Sequence, residues 1–168
     1  MANFNQAIQI VLKNEGGYVN DPMDAGGETN YGICKRDNQK MDIKNLTEEK
    51  AIAYYEKNWW NKFGFGTITN DKLASWVFDH AVNAGPVPII RALQLVIQDA
   101  MQNSGNFEGI TIDGILGPNT AKLVNEFYND NMLLALQEKV WNHYLKIIEA
   151  NPTDQKFYHG WHNRVFQN

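Results

Sequence analysis

Glu15-Gly16-Gly17-Tyr18-Val19-Asn20-Asp21-Pro22-Met23-Asp24-Ala25-Gly26-Gly27-Glu28-Thr29-Asn30-Tyr31-Gly32-Ile33 is the stretch on which the reading turns. It packs five glycines and four carboxylates into 19 residues. Glycine admits positive φ angles and lets a ligand approach the backbone closely. The segment before it is an amphipathic helix: Phe4, Ile8, Val11, Leu12 and Glu15 recur at helical spacing, and Gly16-Gly17 closes the last turn. Glu15 thus continues an apolar face at the negative end of a helix dipole. Both surroundings disfavour a charged carboxyl group and would raise its pKa, as a general acid requires. The same position also suits a glutamate that swings out to solvent at a frayed helix end.

Outward from this stretch, helical periodicity dominates. The spacing predicts helices over about 47–60, from 71 to the Gly85-Pro86 break, and from there through Met101. The Gly- and Asn-rich run 103–118 reads as a loop with a short hairpin around Ile110-Thr111-Ile112. A long helical pattern follows over 119–150, broken near Asn129-Asp130-Asn131 and ended by Pro152, with a short helix over 155–166 after it. The expected fold class is mostly α, with a small β-element between Val19 and Ile33. No true linker divides the chain.

Composition narrows the function. The chain has 168 residues, 15 Lys and Arg against 19 Asp and Glu, and a net charge of −4. No basic run offers the counterion release that drives nucleic-acid binding, so nucleic acid is not an expected partner. No apolar run approaches the roughly 20 residues of a membrane span, and the first residues carry no secretory signal pattern. If the protein acts outside the cytoplasm, something else must carry it there. With one cysteine, Cys34, neither an internal disulfide nor a cysteine metal site is possible. Cys34 has Lys35 and Arg36 beside it but no evident base, and reads as a small packing residue. His159 and His162 form a conceivable metal pair but lack a third ligand, so neither a metal nor an organic cofactor is expected.

Chemistry is concentrated around Glu15. A carboxylic acid and a second carboxylate across a short loop are what glycosidic hydrolysis uses. Asp24 is the first candidate for the second group, with Thr29 able to orient a water. Asp21 competes, although Asn20-Asp21-Pro22 favours a turn. Asp24 could equally form an Asx-turn into the glycines that follow. The aromatic share is 12%, which supplies core packing or flat surfaces for sugar rings.

Glu15-Gly16-Gly17-Tyr18-Val19-Asn20-Asp21-Pro22, then Asp24, Gly26-Gly27, Thr29 and Gly32-Ile33, resembles the N-terminal signature of glycoside hydrolase family 108. That is a muramidase-like family that includes phage endolysins. Asp79-His80-Ala81-Val82-Asn83-Ala84-Gly85-Pro86 resembles the end of its central helix. The segments 113–120 and Gly160-Trp161-His162-Asn163-Arg164 resemble its C-terminal peptidoglycan-binding segment. The resemblance implies a lysozyme-like helical fold, with a catalytic lobe over 1–87 and a helical lobe over 88–168 in one compact unit. It implies Glu15 as the catalytic acid, with Asp24 and Thr29 supporting the attacking water. Thr29 lies one residue closer to Glu15 than its counterpart commonly does in phage-type lysozymes. The implied substrate is the glycan strand of peptidoglycan, cut between N-acetylmuramic acid and N-acetylglucosamine at the cell wall or periplasm, which together with the missing signal pattern implies synthesis in the bacterial cytoplasm and access through a holin or a dedicated export system. Tyr18, Tyr31, Asn83 and Trp161 are the expected substrate contacts. A lytic transglycosylase and a non-catalytic wall-binding module are the rival readings.

Overall fold

Asn3 starts the first helix. Its side chain accepts from the Asn5 and Gln6 amides, and its own amide donates to Asp71 Oδ1 at 2.7 Å. That bond ties the start of α1 (Phe4–Glu15) to the start of α4 (Asp71–Ala84), against which α1 packs. The computed structural model describes residues 1–20, 27–106 and 108–167. Gly16, at φ 71°, ends α1 where the sequence places the break.

The small β-element is an antiparallel hairpin, β1 (Thr29–Asn30) and β2 (Ile33–Cys34), with Thr29 opposite Cys34 and Val19 bridging to Thr29. Its turn, Tyr31-Gly32, has positive φ at both residues, 50° and 75°, as a two-residue type I′ loop needs. Buried Asn30 donates to the carbonyls of Ile43 and Leu46, which fastens the hairpin to the next loop.

Thr47 caps α2 (Glu48–Tyr55), and Glu48 and Glu49 sit at the positive end of its dipole. The chain runs on through a π-helical turn (Glu56–Trp60), α3 (Asn61–Phe63) and a short 3₁₀ turn. Phe4, Trp60 and Phe65 converge on Phe78 of α4 at ring separations of 5.2–6.2 Å, the apolar seam between the N-terminal segment and the helical body. α4 is capped by Asn70 and buried on nearly every side over 73–81. Gly85, at φ 87°, swings the chain into α5 (Pro86–Asn103), with Pro86 at the first helical position, where its missing N–H costs nothing.

No strand forms at Ile110-Thr111-Ile112 among the described residues, contrary to the expected hairpin. The β-branched pattern there has no partner strand. Gln94, fully buried on α5, reaches into this loop instead: Nε2 donates to Asp113 Oδ1 and Oε1 accepts from the Gly114 amide. Asp113 also accepts from the Ile115 amide, and these bonds hold its carboxyl below its ordinary pKa. α6 (Pro118–Phe127) follows, then the expected break, with Asn129 capping α7 (Asp130–Ala150). A 3₁₀ segment (Pro152–Phe157) leads into α8 (Tyr158–Gln167). α8 returns to the middle of the fold, where the fully buried Val165 accepts from Trp76 Nε1 and Gln137 Nε2 through its carbonyl.

Candidate active site

Three helices meet around one arginine. Arg164, on α8, grips Asp79 of α4 with two parallel bonds, Nε to Oδ2 at 2.9 Å and Nη2 to Oδ1 at 2.8 Å. The same Nη2 donates to Glu15 Oε1, at the end of α1, at 2.9 Å. Asn14 Nδ2 adds a bond to Asp79 Oδ1 at 3.0 Å. Asp79 is 1% exposed, Arg164 12% and Glu15 18%. Burial by itself would lower the Arg164 pKa. The bonds and charges of Asp79 and Glu15 outweigh it and hold the guanidinium charged, well above its ordinary value. The forked pairing is what a planar guanidinium does best.

The sequence suggests apolar surroundings for Glu15, and the structure corrects that: a guanidinium bonds Oε1. The opposite oxygen, Oε2, faces the hairpin turn. A Cβ on Gly32 would lie 2.5 Å from Oε2 and 2.7 Å from the Tyr55 hydroxyl. Only glycine fits there. Tyr55, buried on α2, donates to the Tyr31 carbonyl at 2.9 Å and thereby fixes the turn. Burial and then the Glu15 charge raise its pKa, so it stays a neutral donor.

Beside this cluster lies a cavity of about 470 Å³, lined in part by Lys13, Asn14, Asn83, Trp161, Asn163 and Arg164. Two expected substrate contacts meet in it. Asn83 Oδ1 accepts from the buried Tyr144 hydroxyl at 2.6 Å, and the Tyr144 ring stacks on Trp161 at 4.8 Å. The other two lie on the hairpin side. Tyr18 is 41% exposed, and its hydroxyl donates to Glu28 Oε2. Desolvation and the Glu28 carboxylate push its pKa up. Tyr31 is partly buried against the core. Thr29 stands on β1, two residues before the turn that faces Glu15. Asp21 and Asp24 lie outside the described residues.

The remaining candidates have structural occupations. His162 sits edge-on to Trp141 at 5.1 Å and 4.9 Å from Phe166, a packing position, while His159 is exposed. Among the described residues no three metal-ligating side chains converge. Cys34 Sγ donates to Asp37 Oδ2 at 3.1 Å. His80 is fully buried, stacked on Trp76 at 3.7 Å, with Nδ1 bonded to the Trp76 carbonyl and 3.7 Å from Asp79 Oδ2, and Nε2 making no hydrogen bond of ordinary length among the described residues. Burial pushes its pKa down to about 4.

Sequence reasoning missed Asp79, Arg164, Asn14 and Tyr144 as members of the site. A signal existed for the first two. Asp79 is an acid inside an apolar helical run, and a buried acid requires a cationic partner. Arg164 lies three residues after Trp161, on the same side of its helix.

Residues 8–85 match the family model for glycosyl hydrolase 108. Residues 90–166 match a predicted peptidoglycan domain. Among solved structures, SagA of Brucella abortus is similar at 29% identity and a TM-score of 0.74, over 98% of this chain and 90% of that one. No curated protein matches significantly. With a glycosyl hydrolase 108 domain over residues 8–85, a predicted peptidoglycan domain over 90–166, and a mostly helical fold shared over nearly its whole length, the chain is a glycoside hydrolase that acts on peptidoglycan.

Proposed function

We propose that the enzyme is an N-acetylmuramidase with Glu15 as general acid, cutting between N-acetylmuramic acid and N-acetylglucosamine. The observation that carries this reading is the seat of Glu15. Arg164 anchors Oε1, and Oε2 is left against the close backbone of Gly32, beside a polar cavity large enough for a sugar. In this reading a proton on Oε2 passes to the glycosidic oxygen as the C1–O bond breaks. A water, supported by Asp24 and Thr29, adds to C1 from the opposite face and gives up its proton to Asp24. Arg164 is a positioning residue: it fixes the carboxyl plane, and Asp79 fixes Arg164.

Residues 1–87 then form the catalytic lobe and 88–168 the lobe that completes and feeds it. Trp161 and Asn83 contact the glycan in the cavity. Because Tyr144 donates to Asn83 Oδ1, the Asn83 amide nitrogen is left to donate to a sugar hydroxyl or acetamide carbonyl. Tyr18 and Tyr31 border the strand on the hairpin side. Peptidoglycan as substrate places the action at the cell wall, and a holin or a dedicated export system is the route we propose for access. No helix among the described residues is long and apolar enough to cross a membrane.

Digestion of purified peptidoglycan and mass spectrometry of the products test the reading. Reducing muramic acid ends are expected. Anhydro-muramic ends would make the enzyme a lytic transglycosylase, and reducing glucosamine ends would move the scissile bond. Glu15→Gln should keep the fold and lose about 10²–10⁴-fold in rate, the usual worth of a general acid. Activity within threefold of wild type would remove Glu15 from that role.

A further inference from the structure

A second groove, between α5 and α7, is lined by basic and apolar side chains. It encloses about 540 Å³. Arg91 lines it from α5 and Lys139, His143 and Lys146 from α7, with Val87 and Leu95 between the charges. None of its lining residues is a carboxylate, in a chain where acids outnumber Lys and Arg by 19 to 15. Two carboxylates stand near it, and Asp113 is close enough for the Arg91 charge to act on it. Asp99 pairs with Lys139 at 3.0 Å at the far end, and Asp113 is held by Gln94 and the Ile115 amide. Val87 and Leu95 are 46% and 41% exposed, large apolar side chains presented to solvent beside cations.

We propose that this groove holds the peptide stem of peptidoglycan, with stem carboxylates against Arg91, His143 and Lys146 and alanine methyls against Val87 and Leu95. The proposal rests on peptidoglycan being the substrate. Stem peptides combine small apolar side chains with free carboxylates, the pattern that the lining complements. The dimensions agree. Val87 to Leu95 spans eight helical steps, about 12 Å, and four extended residues reach about 13 Å. The groove also starts in the right place. Asn83, near the end of α4, lines the cavity beside Glu15, and Val87, just across the Gly85 break at the start of α5, lines the groove. Tyr144, which bonds Asn83, is the neighbour of His143. A stem leaving a muramic acid in the cavity would therefore enter the groove at its Val87 end. The enzyme would then read the decorated strand on two surfaces, the sugars beside Glu15 and the peptide between α5 and α7.

The test uses the full chain and a soluble stem tetrapeptide ending in a free carboxylate, titrated by calorimetry and followed by NMR. Wild type should bind it, with shifts at groove residues. The double variant Arg91→Gln/Lys146→Gln should bind about tenfold more weakly or worse, since it loses two charge-assisted contacts. Arg91→Lys/Lys146→Arg should bind like wild type, and the melting temperature of each variant checks the fold. On glycan strands bearing stems the Gln variant should show a raised KM and unchanged kcat. On strands stripped of stems it should equal wild type. Equal tetrapeptide binding by wild type and the Gln variant would overturn the proposal. So would tighter, Arg91- and Lys146-dependent binding of a phosphodiester wall polymer. If the tetrapeptide binds in the groove but no glycan is cut, the muramidase reading fails and the groove stands.

Discussion

Alanine at position 32 would place a methyl group where Glu15 and Tyr55 already are. Its Cβ would meet Glu15 Oε2 at 2.5 Å, the Tyr55 hydroxyl at 2.7 Å and Glu15 Cγ at 2.9 Å. Two costs combine. The residue sits at φ 75°, where a Cβ costs about 1–2 kcal/mol. Relief of the overlaps costs about 1–3 kcal/mol more, because Tyr55 is fixed by its bond to the Tyr31 carbonyl and Glu15 by Arg164. Together the loss is about 2–5 kcal/mol, and in a chain of this size about 2–4 °C of melting temperature goes with each kcal/mol. Of the two, the Glu15 side chain has more rotatable bonds than the buried Tyr55 ring, so it yields first and relaxation displaces its carboxyl against the pull of Arg164. A displacement of about 1 Å at a catalytic group costs about 10²-fold in rate. Gly105→Ala separates the two costs. Gly105 also has positive φ, 81°, but nothing lies within 4 Å of its Cβ position, so only the conformational cost applies there. Muropeptide release and thermal melts of both variants are the assay. Gly32→Ala should be both less stable and far slower than Gly105→Ala, which should keep wild-type turnover. Equal melting temperatures, or a Gly32→Ala enzyme within threefold of wild-type rate, would refute the account of a turn closed upon Glu15.

Arg164→Ala should cost about 3–5 kcal/mol, because among the described residues it leaves the buried Asp79 carboxylate only the Asn14 bond and the His80 ring at 3.7 Å. Arg164→Lys should recover part of the stability but not the forked geometry, as urea unfolding would read. His80 supplies a pH dependence. Its folded pKa, about 4, lies below the ordinary 6.5, so the unfolded chain binds the extra proton between those values. Stability should therefore fall as pH drops from about 6.5 to about 4, by about 3 kcal/mol from this residue. His80→Phe should flatten that slope in denaturant titrations at pH 7 and 4.5. Asp24→Asn should lose at least about tenfold in turnover with little change in melting temperature, whereas Asp21→Asn should mainly shift stability by about 0.5–2 kcal/mol. The opposite pattern in paired kinetics and melts would reverse their roles.

Local signals carried most of the fold. Asn3, Thr47, Asn70 and Asn129 cap helices because their short side chains bond the first amides, and Gly16 and Gly85 end helices at positive φ. Such signals depend on neighbours in the chain and can be read there. Ile110-Thr111-Ile112 shows their limit. Strand propensity needs a partner, and Gln94, from a different helix, decided what that loop does. The site divides in the same way. The position of Glu15 at the end of α1 was legible from its helical pattern and the glycines after it. The residues that orient it were not, because Asp79 and Arg164 become neighbours only when α4 and α8 pack, and a buried ion pair leaves no spacing in the sequence.

Glu15 and Arg164 are 149 residues apart in the chain. A ribosome adding about 5–20 residues per second makes the second about 7–30 s after the first. For that interval Glu15 exists without the guanidinium that bonds it. Folding of the early helices cannot close this cluster, however fast, because Arg164 belongs to α8. With Glu15 as the acid proposed above, every nascent chain or released fragment that stops short of α8 holds that acid without the residue proposed to aim it.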